Sequence, residues 1–281
     1  MQVSNTGQNY TRTNTRPPGA YMDVNYGRTK RAGFTAKNDG PMTSNVLVRS
    51  LLEASAGEFP LPVKHSILTK GEFLFQQDDA VEYIYFPETA VISEFRLLED
   101  GRMVEIAITG REGALGIPSL FGPCLAANCA EVSHSGTALK VETSLVKRQI
   151  AINSAMTLLM YDHLNHYIRQ ISQKAICNMY HSVEKRFCSW LLMLQDRTQR
   201  DLLKLTHEEI ARILGVYRPS VTYIALELRK KGIIDYSRGG ISIRDRVELE
   251  KLACDCYAEL AADAVGSGLH STTAKTYARA A

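Results

Sequence analysis

Short runs of alternating apolar and polar residues fill the region from Pro60 to Glu142. Turn residues separate the runs, a texture typical of an antiparallel β sandwich or roll. The runs that predict strands are Phe73–Phe75, Glu82–Phe86, Val91–Leu97, Met103–Ile108 and Thr137–Val141. Glu99, Asp100 and Gly101 have the composition of a hairpin turn between the third and fourth of these strands.

Helical spacing replaces the alternation on both sides of this region. A short amphipathic helix is predicted at 44–56 and a long one at 152–182. In the long helix, apolar residues recur at intervals of three and four, as in a coiled-coil seam: Tyr161, Leu164, Ile168, Ile171 and Ala175. We expect the seam to pair two copies of the chain. A helix that packs against the β region is the alternative that so short a seam leaves open.

Two more amphipathic helices are predicted at Val183–Arg197 and Arg246–Tyr257. Cys188 and Trp190 in the first of them are expected in the core. The six cysteines contain no compact C-x-x-C pair, so we expect free thiols, and a metal site is only weakly indicated.

A helix-turn-helix is predicted at Leu205–Gly232, LTHEEIARILGVYRPSVTYIALELRKKG. Thr206 and Glu209 fit a capping box at the start of the first helix. Gly215 suits the sharp turn, because glycine adopts positive φ without a clash. The apolar residues expected where the two helices meet are Ile210, Ala211, Leu214, Val216, Val221, Ile224 and Leu228.

The outer face of the second helix predicts DNA reading. A helix fits the major groove, and its first residues then meet base edges. The residues expected to read bases are Arg218, Ser220, Thr222 and Tyr223. The alternative is an ordinary helical hairpin with a solvated polar face.

The sequence that follows, IIDYSRGGISIRD, predicts a hairpin wing. A wing beside the reading helix would hold Arg238 near DNA phosphates. Residues 200–246 contain ten Lys/Arg and six Asp/Glu, a modest local excess that suits a DNA-binding segment.

Composition limits the other classes of function. The 281 residues carry a net charge of only +3, so the charge argument for DNA rests on its distribution. No apolar run is long enough to span a bilayer, and the first thirty residues contain no apolar h-region of a signal peptide, so we expect a cytoplasmic protein without a membrane partner. The absence of a P-loop, a nucleophile elbow and an HExxH motif argues against an enzyme.

The order of these parts resembles the catabolite activator/FNR (Crp/Fnr) family of bacterial transcription regulators. The matching segments are THEEIARILGVYRPSVTYIALELRKKGIIDY, GREGALGIPSLFG and YIYFPETAVIS. The resemblance implies an α+β fold: a cyclic-nucleotide-binding-like antiparallel β roll (jelly roll), a long dimerisation helix and a winged helix-turn-helix. We therefore expect a disordered basic arm at 1–41, a β-roll sensor domain at 44–150, the dimerisation helix at 151–182, the DNA-binding domain at 183–257 and a flexible tail at 258–281.

The resemblance also implies a homodimer on double-stranded DNA, with RNA polymerase as a further partner if the protein activates transcription. By position, it assigns phosphate contacts to His207, Tyr217 and Arg238. Pro219 and Tyr223 depart from the glutamate and arginine of the best-known members, so we expect a different operator.

No cofactor is identified from the sequence, and the effector stays unknown. The family's cyclic AMP cassette is missing, because Ile117 follows Gly116 and no charged residue occurs at 114–130. Residues 1–123 contain no cysteine for an iron–sulfur cluster. The uncharged segment is expected either to line a pocket for an uncharged effector or to form core, and Cys124 and Cys129 either fill space or form a redox pair.

Overall fold

The computed structural model describes residues 34–35, 43–54, 58–59, 61–237 and 239–266. Within these residues, the N-terminal half contains nine strands: β1 (Phe34–Thr35), β2 (Glu58–Phe59), β3 (Lys64–Leu68), β4 (Phe73–Phe75), β5 (Tyr83–Pro87), β6 (Val91–Leu97), β7 (Met103–Thr109), β8 (Cys129–His134) and β9 (Gly136–Glu142). The larger sheets of this half have the orders β4-β8-β6-β7 and β3-β9-β5, and all their pairings are antiparallel. The predicted β roll is therefore present. The expected strands all form, whereas β1, β2, β3 and β8 were not predicted.

The helices are α1 (Val46–Ala54), α2 (Thr143–Ile150), α3 (Ser154–Tyr180), α4 (Val183–Thr198), α5 (His207–Leu214), α6 (Arg218–Lys230), α7 (Arg246–Leu252) and α8 (Asp255–Gly266). Three short strands, β10 (Leu202–Leu203), β11 (Ile234–Ser237) and β12 (Gly240–Ile243), form a C-terminal sheet in the order β10-β12-β11. The strand Phe34–Thr35 lies within the arm expected at 1–41, and the rest of that arm lies outside the described residues, as does 267–281 of the expected tail.

Polar side chains cap the starts of the long helix α3 and of α4. The Asn153 side chain accepts a hydrogen bond from the Met156 amide at 3.0 Å and so caps its start. At the other end His181 is extended, and the Ser182 hydroxyl accepts from the Lys185 amide at 3.3 Å to begin α4. The chain therefore bends between α3 and α4 at His181 and Ser182.

Strand β6 separates two apolar cores. Ile92 packs into the interior of the β roll, whereas its neighbour Val91, and Phe95 farther along, pack with residues of the C-terminal helices. This follows from strand geometry, because successive side chains point to opposite faces. The β roll and the C-terminal domain thus share one sheet between them. The core that Val91 and Phe95 form with the C-terminal helices is called the second core, and Cys188 and Trp190 are buried in it, as expected.

The C-terminal helix expected at 246–257 is divided in the structure. It ends at Leu252, Ala253 is extended, and a new helix starts at Asp255 and covers part of the expected tail. The break turns Cys254 and Cys256 inward, and both are buried.

Candidate nucleic-acid interface

The first helix of the predicted helix-turn-helix begins with the expected capping box. The Thr206 hydroxyl accepts a hydrogen bond from the Glu209 amide at 3.2 Å, and the Thr206 amide donates to the Glu209 carboxylate at 2.7 Å. Gly215 ends α5 with φ of 64°, the left-handed conformation expected of this turn. The two helices therefore meet as the sequence spacing predicted.

Helix α6 buries one face and exposes the other. Val221, Ile224 and Leu228 are buried in the second core. Arg218, Ser220 and Tyr223 are exposed on the outer face, and Tyr217 immediately before the helix is 86% exposed. Four of the residues expected to contact DNA thus lie together at or near the start of α6. This is the end of a recognition helix that approaches base edges.

Thr222 and His207 form a contact with each other. His207 Nδ1 lies 3.1 Å from the Thr222 hydroxyl, and the His207 ring packs edge-on against Tyr236 at 4.9 Å between centroids. Burial lowers the pKa of His207, and the Arg218 guanidinium lowers it further. The neutral form of His207 is therefore favoured in the free protein. Because Thr222 is half-buried, less of it than of Arg218 faces solvent.

Arg218 is free to reorient. Its guanidinium is 3.9 Å from Glu208, and both side chains are more than 60% exposed. An ion pair this exposed contributes little, so it would not hold the guanidinium away from a base.

The predicted wing is a hairpin formed by β11 and β12, in which Ser237 pairs with Gly240. Arg229 and Arg244 both lie 3.3 Å from Asp235 at its base. Arg238, expected to contact phosphate from the wing, lies outside the described residues.

Ion pairs hold the helix-turn-helix against the β roll. Arg212 on α5 donates to both oxygens of Glu131 on β8, at 2.6 and 2.8 Å, and its guanidinium lies 4.8 Å from the Phe95 ring. Lys70 forms a second pair with Glu209 at 2.6 Å. The first pair spans 81 residues of sequence and the second spans still more, so local spacing carries no signal for them.

A buried carboxylate joins four elements beneath this contact. Glu105 on β7 accepts hydrogen bonds from Trp190 on α4 at 3.0 Å, Lys174 on α3 at 3.1 Å and Ser93 on β6 at 2.7 Å. Because each donor satisfies part of a buried charge, the network fixes the long helix and α4 relative to the β roll.

The seam residues of α3 divide into two groups. Tyr161, Ile168 and Ala175 are exposed, and Tyr161 also stacks on Phe121 at 4.5 Å. Leu164 and Ile171 are half-buried, and Leu164 packs against the β-roll core. The exposed apolar residues that extend the first group along the helix are Leu158, Ile176, Met179 and Tyr180. The exposed stripe is therefore rotated away from the β roll relative to the predicted seam.

The uncharged segment at 114–130 contributes mainly to the core. Its apolar residues in the interior of the β roll are Ala114, Leu115, Ile117, Leu120, Ala126 and Ala130. Cavities of about 40 and 30 Å³ lie along α3, and each is large enough only for water. A wider open depression of about 700 Å³ lies outside the roll, beside Cys124, Lys147 and Arg148. Cys129 is buried, whereas Cys124 is exposed, and both are free thiols.

Within the described part of the chain, no helix has the length and apolarity needed to cross a membrane.

Known proteins match both halves of this architecture. Residues 185–252 match the family model of the Crp-like helix-turn-helix domain. The anaerobic regulatory protein of Bacillus subtilis is 23% identical over 198 residues, which cover 67% of this chain and 83% of that protein. The global nitrogen regulator of Nostoc sp. PCC 7120 is 24% identical over 213 residues, which cover 71% of this chain and 92% of that protein.

Solved structures share the fold. FixK2 from Bradyrhizobium japonicum aligns with a TM-score of 0.61 at 21% identity, covering 69% of this chain and 98% of that one. A CRP-family transcriptional regulator from Thermus thermophilus aligns with a TM-score of 0.57 at 20% identity, covering 67% of this chain and 96% of that one. The relatives are regulators rather than enzymes. The family model thus identifies residues 185–252 as a Crp-like helix-turn-helix domain, and the chain as a whole is similar to transcription regulators of the Crp/Fnr type.

Proposed function

We propose that this regulator acts as a homodimer that reads an inverted-repeat operator through the outer face of α6. The observation that carries the proposal is the group of exposed residues at the start of that helix, Tyr217, Arg218, Ser220 and Tyr223. RNA polymerase would be a further partner if the regulator activates transcription.

Each residue of this group has a chemistry suited to DNA. Arg218 offers a planar fork of donors that matches guanine O6 and N7. The Ser220 hydroxyl suits either base edge, and Tyr223 presents a ring and a hydroxyl to the groove. Tyr217 and His207 lie beside them and suit phosphate oxygens as hydrogen-bond donors. The half-buried Thr222 is assigned to the same face, with His207 as its neighbour. Arg238 on the wing is assigned a phosphate contact.

Dimerisation is proposed through α3. Tyr161, Ile168 and Ala175 remain exposed along this 27-residue helix, and Met179 extends the same face. A long apolar stripe of this kind favours association, because pairing removes it from water. We assign Leu164 and Ile171 to the edge of the seam that adjoins the β roll. A two-fold dimer would place two α6 helices about one DNA turn, roughly 34 Å, apart.

We further propose that DNA binding does not depend on cyclic AMP. The segment at 114–130 provides no cation for a cyclic phosphate, and most of its apolar side chains lie in the β-roll core. Burying a phosphate anion there would leave its charge uncompensated.

A different function, in which the winged helix binds a partner protein instead of DNA, differs in its salt dependence. Binding through several phosphate contacts weakens steeply with salt, because counterions are released from DNA. Binding to a partner protein through an apolar surface would weaken little.

The test is selection from a random duplex pool by the purified full-length protein without added effector. We expect an enriched inverted repeat whose half-site centres are about ten base pairs apart. Enrichment of a single asymmetric site would contradict dimeric reading. If the protein enriches no sequence, whether or not cyclic AMP is added, then the proposal that it reads a specific sequence without an effector is wrong.

A further inference from the structure

Four side chains that commonly bind metals meet where the end of α3 contacts the connection between α7 and α8. Cys177 lies in the last turn of α3 and His181 at its C-cap, while Cys254 and Cys256 flank the start of α8. Their ligand atoms all lie within 4.8 Å of one another, and the three cysteines are buried. We call these four residues the cysteine/histidine cluster.

The distances inside the cluster fit a tetrahedral metal centre. Sγ of Cys177 is 3.5 Å from Sγ of Cys254, and Sγ of Cys256 is 3.4 Å from Nδ1 of His181. Around zinc, with its usual bond lengths, two sulfur ligands are about 3.8 Å apart and a sulfur and a nitrogen about 3.6 Å apart. Small side-chain rotations would therefore close the site. We propose that one zinc ion binds here, held by Cys177, His181, Cys254 and Cys256.

Ordinary core packing accounts poorly for the cluster. Cys188 shows the usual behaviour of a buried cysteine, because it is surrounded by the apolar side chains of the second core. Cys177, Cys254 and Cys256 instead form a small buried group of their own, separate from both apolar cores. The imidazole of His181 at its edge supplies a polar ligand that an apolar filler would not need.

A disulfide would use only part of this arrangement. Joining Cys177 to Cys254 would leave Cys256 and His181 facing each other without a role. A second layer of contacts holds Cys254 in place: the buried Ser189 hydroxyl, which donates to the Lys185 carbonyl at 2.9 Å, lies 3.0 Å from Sγ of Cys254 and accepts a hydrogen bond from the Cys254 amide at 3.0 Å. Such outer contacts orient metal ligands.

The position of the cluster gives the metal a mechanical role. Cys177 and His181 lie at the bend between α3 and α4, while the other two ligands belong to the end of the DNA-binding domain. A metal bound to both sides would fix the angle between the long helix and the recognition helix. This role rests on the proposed function, whereas metal binding itself does not.

Metal content of the purified full-length protein tests the site. We expect elemental mass spectrometry to find about one zinc ion per chain in the wild type. The Cys256→Ser and His181→Gln variants should lose this zinc. His181 is only half-buried, so its variant keeps the test valid if the cysteine variant fails to fold. Cys124→Ser removes an exposed cysteine outside the cluster and should retain the zinc. Cobalt substitution should give sulfur-to-metal charge-transfer absorption in the wild type and weaker absorption in Cys256→Ser.

Three results would overturn the zinc site. The first is wild-type protein without zinc even after incubation with zinc salts. The second is iron with inorganic sulfide bound by the same residues. The third is a disulfide between Cys177 and Cys254, detected as a mass lower by two hydrogens and restored by reduction.

The mechanical role is tested on the same protein. Chelation of the zinc should speed hydrogen exchange around residues 177–183 and weaken operator binding roughly ten-fold, within the range of typical coupling between sites. Zinc bound without either change on its removal would overturn the mechanical role and leave the metal site standing. DNA binding that is absent with and without zinc would contradict the proposed function, while the measured zinc content would still decide the site.

Discussion

Arg212 and Glu131 form a two-point ion pair across the contact between the helix-turn-helix and the β roll, with N–O distances of 2.6 and 2.8 Å. Arg212 lies on α5, the helix that precedes α6, and Glu131 lies on a central strand of the sheet. The planar fork of arginine matches the two carboxylate oxygens and fixes direction as well as distance. The pair therefore fixes the position of α5 relative to the sheet.

We predict that Glu131→Gln loosens this contact. The change removes the charge and one of the two acceptors, so the free energy of unfolding should fall by about 1 to 2 kcal/mol, with faster hydrogen exchange in α5. Urea denaturation and hydrogen exchange measure the two effects. Glu142→Gln is the matched control, because its pair with Lys64 is exposed and 3.5 Å long, and it should change stability by less than about 0.5 kcal/mol. Equal effects of the two substitutions would contradict the role of Glu131.

Thr206→Ala should destabilise the first turn of α5. The variant loses the hydroxyl that accepts a hydrogen bond from the Glu209 amide. The loss of such a cap lowers the free energy of unfolding by about 1 kcal/mol. Thr206→Ser keeps the hydroxyl and should retain most of the stability. Urea denaturation of the three proteins checks this prediction, and an unstable serine variant would show that the methyl group, rather than the cap, matters.

Glu94 and His163 are buried, and their ionisation makes the stability of the fold depend on pH in opposite directions. Burial raises the pKa of Glu94 to about 7, opposed by hydrogen bonds from Tyr167 and Asn128. The folded state therefore holds this proton more tightly, and stability falls as pH rises from about 4.5 to 7. Burial lowers the pKa of His163 to about 4, opposed mainly by its hydrogen bond with the Ala114 backbone. Its neutral form is favoured on folding, so stability rises between about pH 4 and 6.5.

Glu94→Gln separates these two effects. Relative to wild type, the variant should gain on the order of 3 kcal/mol in unfolding free energy as pH rises from about 4.5 to above 7, because the cost of ionising Glu94 is absent. Urea denaturation across this range measures the difference. Glu99→Gln, the same change at an exposed position, should follow wild type. A constant difference between wild type and Glu94→Gln would contradict the pKa shift.

Ile168→Glu should convert the proposed dimer to a monomer. Ile168 is 53% exposed in the isolated chain, and a carboxylate there would face its own copy across a two-fold seam. Sedimentation velocity measures the association state. Ile67→Glu makes the same change at an exposed residue of β3 and should leave the dimer intact. A wild-type monomer, or a dimer that survives Ile168→Glu, would contradict a seam through this residue.

Local spacing was enough to predict the helix-turn-helix. Thr206, Glu209 and Gly215 act within a few residues of one another, and the structure confirms the capping box and the turn. Strand Val91–Leu97 was also predicted with its bounds, because most of its residues are apolar or β-branched. Strand β8 was not predicted, since its sequence CAEVSH buries a charged residue whose partner, Arg212, is remote in sequence.

The features that depend on contacts between residues distant in sequence could not be predicted from local spacing. The predicted seam includes Leu164, which the structure packs against the β-roll core. The spacing of apolar residues in α3 does not show which of them the β roll covers. The cysteine/histidine cluster combines Cys177-x-x-x-His181 with Cys254-x-Cys256, each a plausible ligand pair at helical or extended spacing. Only the fold brings the two pairs together, although searching for paired short spacings would have raised the possibility.

The most direct test of the central proposal compares the base preferences of wild type, Arg218→Ala and Lys231→Ala by selection from one random duplex pool. Arg218→Ala should lose about 1 to 3 kcal/mol of operator binding and relax the preference at one base pair in each half-site. Lys231→Ala removes an exposed cation at the far end of α6 and should leave every base preference unchanged. If Arg218→Ala selects the same sequence as wild type at every position, Arg218 does not read DNA and the proposed role of the α6 face is wrong.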